Sequence, residues 1–315
     1  EANALAILGT VRTYQRTYGR TYVLYHPGAH ASIVENVKIA EAEGATIEPL
    51  PIKGCQVDCA ALAAMLKGEP TLVTMEAVCG ETGVVWNTRE VSNVLKNYGH
   101  RKSIYLHVDA SQAPWTQKLT RAHFAADLLT LDSSKVCESR GIGCLIAPRS
   151  LSLVPLYGGG GQERELSPGS EAPALARAFA DGLMRATESR VAFHTSALSM
   201  RTKLIEAITS IRGVLINEST ATQDPHVLNI SLPGRDTDYL VALLDEAGFA
   251  VSTKSACESD SGAGSRAVFA LFGDAPRAAS TLRISWGPRT LARDLTRFAK
   301  ALVGATQFID STGSK

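Results

Sequence analysis

Short apolar runs alternate with amphipathic helical stretches through the first half of the chain. This rhythm restricts the fold more than any other feature. Val23–Tyr25, Ile47–Leu50, Leu72–Met75, Ile104–Val108, Leu128–Leu131 and Gly143–Ile146 read as strands. Ile33–Glu43, Asp58–Leu66 and Arg89–Tyr98 read as helices between them, with Gly44 and Gly99 closing the first and last. A β-α-β-α order of this kind gives an α/β fold: a largely parallel sheet with helices on both faces.

The rhythm breaks at Leu156–Pro168, which contains four consecutive glycines, Gly158–Gly161. A long Ala-rich helical pattern then runs from near Ala172 to about Ile211. Beyond it come strands at Val214–Ile216 and Val227–Leu232, a helix at Asp238–Ala247, a strand at Thr281–Ser285 and a last helix at Leu291–Ala305. This reads as a smaller C-terminal α+β domain, with the boundary near residue 190: a large domain over 1–190 and a small one over 191–315. Glu1 opens directly into a helical pattern. A domain of this type ordinarily starts with a strand and loop, so the sequence is expected to begin inside a domain.

Composition excludes several classes. With 45 % hydrophobic and 20 % charged residues among 315, the chain is neither disordered nor fibrous. Thirty-two basic against 31 acidic residues leave a net charge of +1, without the basic footprint of a nucleic-acid binder. No apolar run approaches the roughly 18–20 residues of a membrane span. Six irregularly spaced cysteines in a chain this large point to a reducing, cytoplasmic setting. Cys55 and Cys59 lack a second pair at zinc spacing, so no metal site is expected.

Two residues stand where α/β proteins do chemistry, after the C-terminal ends of strands. Asp109 follows Ile104–Val108. A carboxylate there can pair with a cationic ring nitrogen or a metal, or it can cap a helix. Lys135 follows Leu128–Leu131 in a small-residue loop. Either it is an exposed loop lysine, or desolvation keeps its amine neutral and able to form a Schiff base. An aspartate and a lysine at successive strand ends match what pyridoxal phosphate needs: a lysine for its aldehyde carbon and a carboxylate for its pyridine nitrogen.

Five ordered segments make this specific: His107-Val108-Asp109-Ala110-Ser111-Gln112, Lys135 with Gly141-Ile142-Gly143, Gly158-Gly159-Gly160-Gly161-Gln162-Glu163-Arg164, Ser255-Ala256-Cys257 and Leu282-Arg283-Ile284-Ser285. Together they resemble the motifs of the cysteine desulfurases (NifS/IscS-like), in the class V aminotransferase group of fold-type I pyridoxal phosphate enzymes. The resemblance covers nearly the whole chain. It implies a large domain with a mostly parallel, seven-stranded type of sheet. Glu1-Ala2-Asn3 is similar to the E-x-N that follows the family's phosphate-binding G-x-T, which would then precede this sequence.

The resemblance also implies roles. Lys135 would hold the cofactor covalently and then act as general base. Asp109 would pair with the pyridine nitrogen, and Gln112 would hydrogen-bond the phenolic oxygen. His30, in Ala29-His30-Ala31-Ser32-Ile33, would stack on the ring and transfer protons; otherwise it caps a helix. Ser133, Ser134 and Ser170 would supply hydroxyls to the phosphate, Ser170 reaching across a homodimer. Arg283 would grip the substrate carboxylate with a two-point fork, or else form a surface ion pair. Cys257, in a polar Gly/Ser-rich stretch beside Lys254, would take sulfur from L-cysteine as a persulfide, leaving L-alanine. That sulfur would pass to an acceptor such as an iron–sulfur scaffold or a tRNA-thiolation protein. Gly80, Asp132 and Ser167 depart from the family's asparagine, serine and arginine. The alternatives are a selenocysteine lyase, another class V aminotransferase-like enzyme, or a non-catalytic relative with an incomplete cofactor site.

Overall fold

The structure, a computed structural model, describes residues 1–98, 103–137, 140–219, 222–253 and 264–312. The chain divides into two compact units, Glu1–Val78 with Trp86–Arg190, and Cys79–Val85 with Val191–Lys315.

The first unit opens with a helical run: α1 (Ala2–Ala4), a π-helical turn over Leu5–Gly9, and α2 (Thr10–Tyr18). Gly19, at φ 73°, closes it in the left-handed region that glycine adopts without a Cβ penalty. The strands are β1 (Tyr22–Tyr25), β2 (Thr46–Pro49), β5 (Thr71–Glu76), β6 (Ile104–Asp109), β7 (Leu128–Asp132) and β8 (Gly143–Ile146). They form one sheet in the order β2-β1-β5-β6-β7-β8. Non-sequential neighbours joined in parallel require crossover connections. The helices α3 (Ala31–Ala42), α4 (Cys59–Met65) and α5 (Thr88–Asn97) lie in those crossovers. β5 is buried at all six positions, as a strand covered on both faces is. α3 buries Ile33, Val34, Val37 and Ala40, one helical stripe, and these join Ile7, Val11, Val23 and Leu72 in a single core. Burying each of the larger aliphatic side chains contributes about 1.5–3 kcal/mol.

The strands show three features beyond the largely parallel sheet expected from sequence. The sheet has six strands among the described residues, where seven were expected; the stretch after β8 contains Pro148, Pro155 and four glycines and enters no ladder. β8 runs antiparallel to β7, with Leu129 opposite Ile146, and among the described residues of the connection 133–142 there is no α-helical crossover of the kind a parallel pair needs. A two-stranded hairpin of β3 (Ile52–Lys53) and β4 (Gln56–Val57) was not read from the sequence. Its turn residues Gly54 and Cys55 both stand at φ 58°, the positive angles a tight two-residue hairpin needs, yet Gly-Cys is not a usual signature for it. The short helix α6 (Arg121–Phe124) and a one-turn segment α7 (Gln162–Glu165) complete the unit. Glu163, Arg164 and Glu165 of α7 all take positive φ.

α8 (Pro173–Ile208) begins in the first unit and ends in the second. The second unit contains an antiparallel sheet ordered β11-β10-β9: β9 (Leu215–Ile216), β10 (Val227–Ser231) and β11 (Thr281–Ser285). The helices α9 (Thr237–Glu246), α10 (Arg266–Phe272), α11 (Ala275–Ala279) and α12 (Ala292–Thr312) accompany it. Its core includes Leu228, Ile230, Leu240, Leu282 and Leu302, all fully buried. α10 and α11 escaped the sequence reading because each is short, although Ser265 and Asp274 cap them conventionally. α12 runs seven residues past the expected Ala305.

The segment 79–85 belongs to the second unit through its own hydrogen bonds. Asn229 Nδ2 donates to the Glu81 carbonyl, Gln223 Nε2 to the Thr82 carbonyl, and Asp224 N to the Gly83 carbonyl. Gly83 stands at φ 75° with Gln223 and Val227 packed where a Cβ would be.

Candidate active site

The C-terminal edge of β5, β6 and β7 gathers most of the residues singled out by sequence. Asp109 ends β6 and is 8 % exposed. Asn3 Nδ2 donates to its Oδ2 at 2.7 Å and Ser111 N to its Oδ1 at 2.9 Å. A carboxylate offers about four acceptor positions, so capacity remains. Two residues earlier on β6, His107 is fully buried between two threonines, Nδ1 at 2.8 Å from Thr74 Oγ1 of β5 and Nε2 at 3.0 Å from Thr130 Oγ1 of β7. Burial lowers its pKa to about 4, against an opposing pull from Asp109, so the ring is neutral at pH 7.

Lys135 is exposed in the 3₁₀ turn Ser133–Lys135 that follows β7. Trp115 Nε1 donates to its carbonyl at 2.8 Å, which fixes the turn against the segment after β6. Ser133 is fully buried and its Oγ has no hydrogen-bond partner. Ser134 is turned the other way. Its Oγ donates to Asp132 Oδ2 at 2.6 Å and its N to Oδ1 at 3.0 Å, because Asp132 caps the turn. The carboxylate that replaces the family's serine therefore takes up the hydroxyl expected to face a phosphate.

His30 is the N-cap of α3 and exposed. Its backbone N donates to Glu76 Oε2 at 3.3 Å, from the end of β5. Its Nδ1 accepts from Ser32 N at 3.2 Å and lies 2.8 Å from Ser32 Oγ. The capping reading and a site reading of His30 thus describe one residue. Gln112 is half-buried in the turn after Asp109, and Ser170 is exposed between α7 and α8. Asn3, Ser32 and Glu76 were not assigned roles from sequence. Asn3 bonds residues 29 and 106 positions away, and no local pattern signals such a pairing.

Arg283 lies in the second unit, on β11. Its guanidinium donates to the Gly80 carbonyl and to Ser252 Oγ, each at 3.3 Å. Cys257, with Lys254, lies outside the described residues. Burial raises the Cys59 and Cys144 thiols above the ordinary thiol range. Among the described residues, no three His, Cys, Asp or Glu side chains cluster as a metal site would.

The sequence pattern of the class-V aminotransferase domain matches residues 1–298. The chain belongs to the class-V aminotransferase family. A putative cysteine desulfurase, IscS 1 of Bacillus subtilis (strain 168), is 29 % identical over 304 residues, covering 95 % of this chain and 78 % of that protein. The mitochondrial cysteine desulfurase of Saccharomyces cerevisiae is 27 % identical over 315 residues, covering 98 % of this chain but only 61 % of its own length. Among solved structures, a NifS-like protein superposes with a TM-score of 0.87 at 21 % identity, covering 98 % of this chain and 81 % of that one. An apo cysteine desulfurase from Thermococcus onnurineus NA1 gives 0.82 at 17 %, covering 98 % and 77 %. These likenesses show a class-V, fold-type I α/β architecture.

Pyridoxal phosphate is the cofactor of the class-V aminotransferases. The edge of the first unit fits it. Asp109 is a buried carboxylate with acceptor capacity, Ser133 Oγ is a buried hydroxyl with no partner, and the Lys135 side chain is exposed two residues after Ser133.

Proposed function

We propose that this chain is a cysteine desulfurase, which moves the sulfur of L-cysteine onto Cys257 and releases L-alanine. Pyridoxal phosphate supplies the electron sink that makes the substrate's Cα–H and Cβ–S bonds labile. Lys135 would hold the cofactor through its Nζ and, as general base, would move the substrate's α-proton. Asp109 would accept a hydrogen bond from the pyridine nitrogen, Gln112 would donate to the phenolic oxygen, and His30 would stack on the ring. Ser133 and Ser170 would donate to the phosphate; Ser134 would join them only by releasing Asp132. Arg283 receives the substrate carboxylate as a fork, a geometry lysine does not offer. The Cys257 thiolate attacks the substrate sulfur, the C–S bond breaks as the S–S bond forms, and Cβ takes a proton to become the methyl of alanine.

What supports this reading is a lysine and an aspartate at the ends of neighbouring strands, in a chain matched along 1–298 by the class-V pattern. The working form is a homodimer in the cytoplasm, with Ser170 completing the partner subunit's phosphate site. The first unit holds the cofactor and the second carries the nucleophile. The persulfide passes to an acceptor protein in iron–sulfur cluster assembly or tRNA thiolation. Among the described residues, no helix is long and apolar enough to cross a membrane.

The test is absorption followed by product analysis. With pyridoxal phosphate the protein gains a visible band that Lys135→Ala lacks. L-cysteine then gives L-alanine, and Cys257→Ser abolishes its formation while keeping the band. No band in the unsubstituted protein, or alanine formed equally by Lys135→Ala, would overturn the reading.

A further inference from the structure

Asn3 is a buried amide with an unusual account. It is 7 % exposed and its Oδ1 has no hydrogen-bond partner, a cost that stability alone gives no reason to bear. Both of its amide hydrogens are spent, one on Asp109 Oδ2 at 2.7 Å and one on Ser32 Oγ at 2.8 Å. The orientation is forced, since turning the amide over would set its carbonyl oxygen against the Asp109 carboxylate. A serine or threonine at this place would offer one donor where two are used.

The second donation has a consequence at His30. Ser32 Oγ accepts from Asn3, so its single hydrogen is left for His30 Nδ1, 2.8 Å away. Ser32 N–H aims at the same nitrogen from 3.2 Å. With two donors converging on it, Nδ1 is an acceptor, and the proton of the neutral ring sits on Nε2. One amide thus fixes the direction of the Ser32 hydroxyl, the tautomer of His30 and the plane of the Asp109 carboxylate.

We propose that Asn3 and Ser32 are positioning residues, which present His30 as its Nε2–H tautomer and hold Asp109 in register with it. As a role in the reaction this rests on the desulfurase reading; the tautomer itself does not. His30 reaches one face of the site with a donor at Nε2, while Asp109 accepts at the other end of the same network.

The experiment uses the full chain without cofactor, with ¹⁵N- and ¹³C-labelled histidine. The chain has seven histidines, and the signal missing in His30→Gln identifies the ring. At a pH where the ring is neutral, Nδ1 is expected in the unprotonated range and Nε2 in the protonated range. Ser32→Ala removes one of two donors and should lower the tautomer ratio by about three- to tenfold. Asn3→Ala releases the Ser32 hydroxyl and should act in the same direction. Ser32→Thr keeps the hydroxyl and should restore the ratio. With pyridoxal phosphate and L-cysteine, Ser32→Ala should keep the visible band and the KM while kcat falls. A wild-type ring protonated at Nδ1, or a ratio unmoved in both Asn3→Ala and Ser32→Ala, would overturn the proposal. Correct tautomers in a protein that gains no visible band would overturn the desulfurase reading and leave the network standing.

Discussion

Acid should weaken the first unit through one side chain, His107. It is neutral, fully buried and hydrogen-bonded to Thr74 and Thr130 across three neighbouring strands. Its pKa falls from the ordinary 6.5 to about 4 in the folded chain, with desolvation the leading cause. The unfolded chain therefore binds the proton first. Stability is full above pH 6.5, declines as pH falls, and levels off below about 4. The whole gap corresponds to about 3 kcal/mol, of which about 2 kcal/mol is lost by pH 5. His107→Gln keeps donors and acceptors for both threonines but does not titrate. Urea unfolding at pH 7 and pH 5 should show the unsubstituted protein losing about 2 kcal/mol more than His107→Gln over that interval. Equal losses in the two proteins would refute the argument, since the remaining carboxylates and histidines are common to both.

Three further outcomes follow from the geometry. Gly83→Ala forces a Cβ at φ 75° to within 2.5 Å of Gln223 Nε2 and 2.9 Å of the Val227 carbonyl, and should cost about 2 kcal/mol or more in thermal unfolding. Asp58→Ala removes the cap that accepts from Ala60 N and Ala61 N at the start of α4; a loss of about 1 kcal/mol is expected in chemical denaturation. Leu228→Ala empties a fully buried place in the second unit's core and should cost about 2–5 kcal/mol, read as a lowered unfolding midpoint.

That Asp109 and Lys135 stand at strand ends was legible because a strand end is marked by where an apolar run stops, and each strand runs only one residue past its expected end. Strand direction was not, since the run at Gly143–Ile146 carries no record of being antiparallel. The Gly54-Cys55 hairpin was hidden for a related reason: a cysteine at positive φ is held there by its surroundings rather than by its own preference. The orientation of Ser134 depended on Asp132, visible as a departure from the motif but not as a cap. The Asn3–Ser32–His30 chain of donors needs two elements, α1 and α3, brought together, and only folding does that. Cys257, expected from Ser255-Ala256-Cys257 alone, lies outside the described residues.

The segment 79–85 means that the second unit is not a continuous stretch of the gene. During synthesis these seven residues emerge about a hundred residues ahead of Val191, so their partners Gln223, Asp224 and Asn229 do not yet exist. A fragment expressed from residue 191 onward would carry the side chains of Asn229 and Gln223 with no Glu81 or Thr82 carbonyl to receive them. Cutting α8 in the intact protein is a different operation, because the 79–85 strap still ties the released piece by its hydrogen bonds. Swapping the second unit between relatives would likewise require transplanting two pieces of sequence, the longer one and this short one.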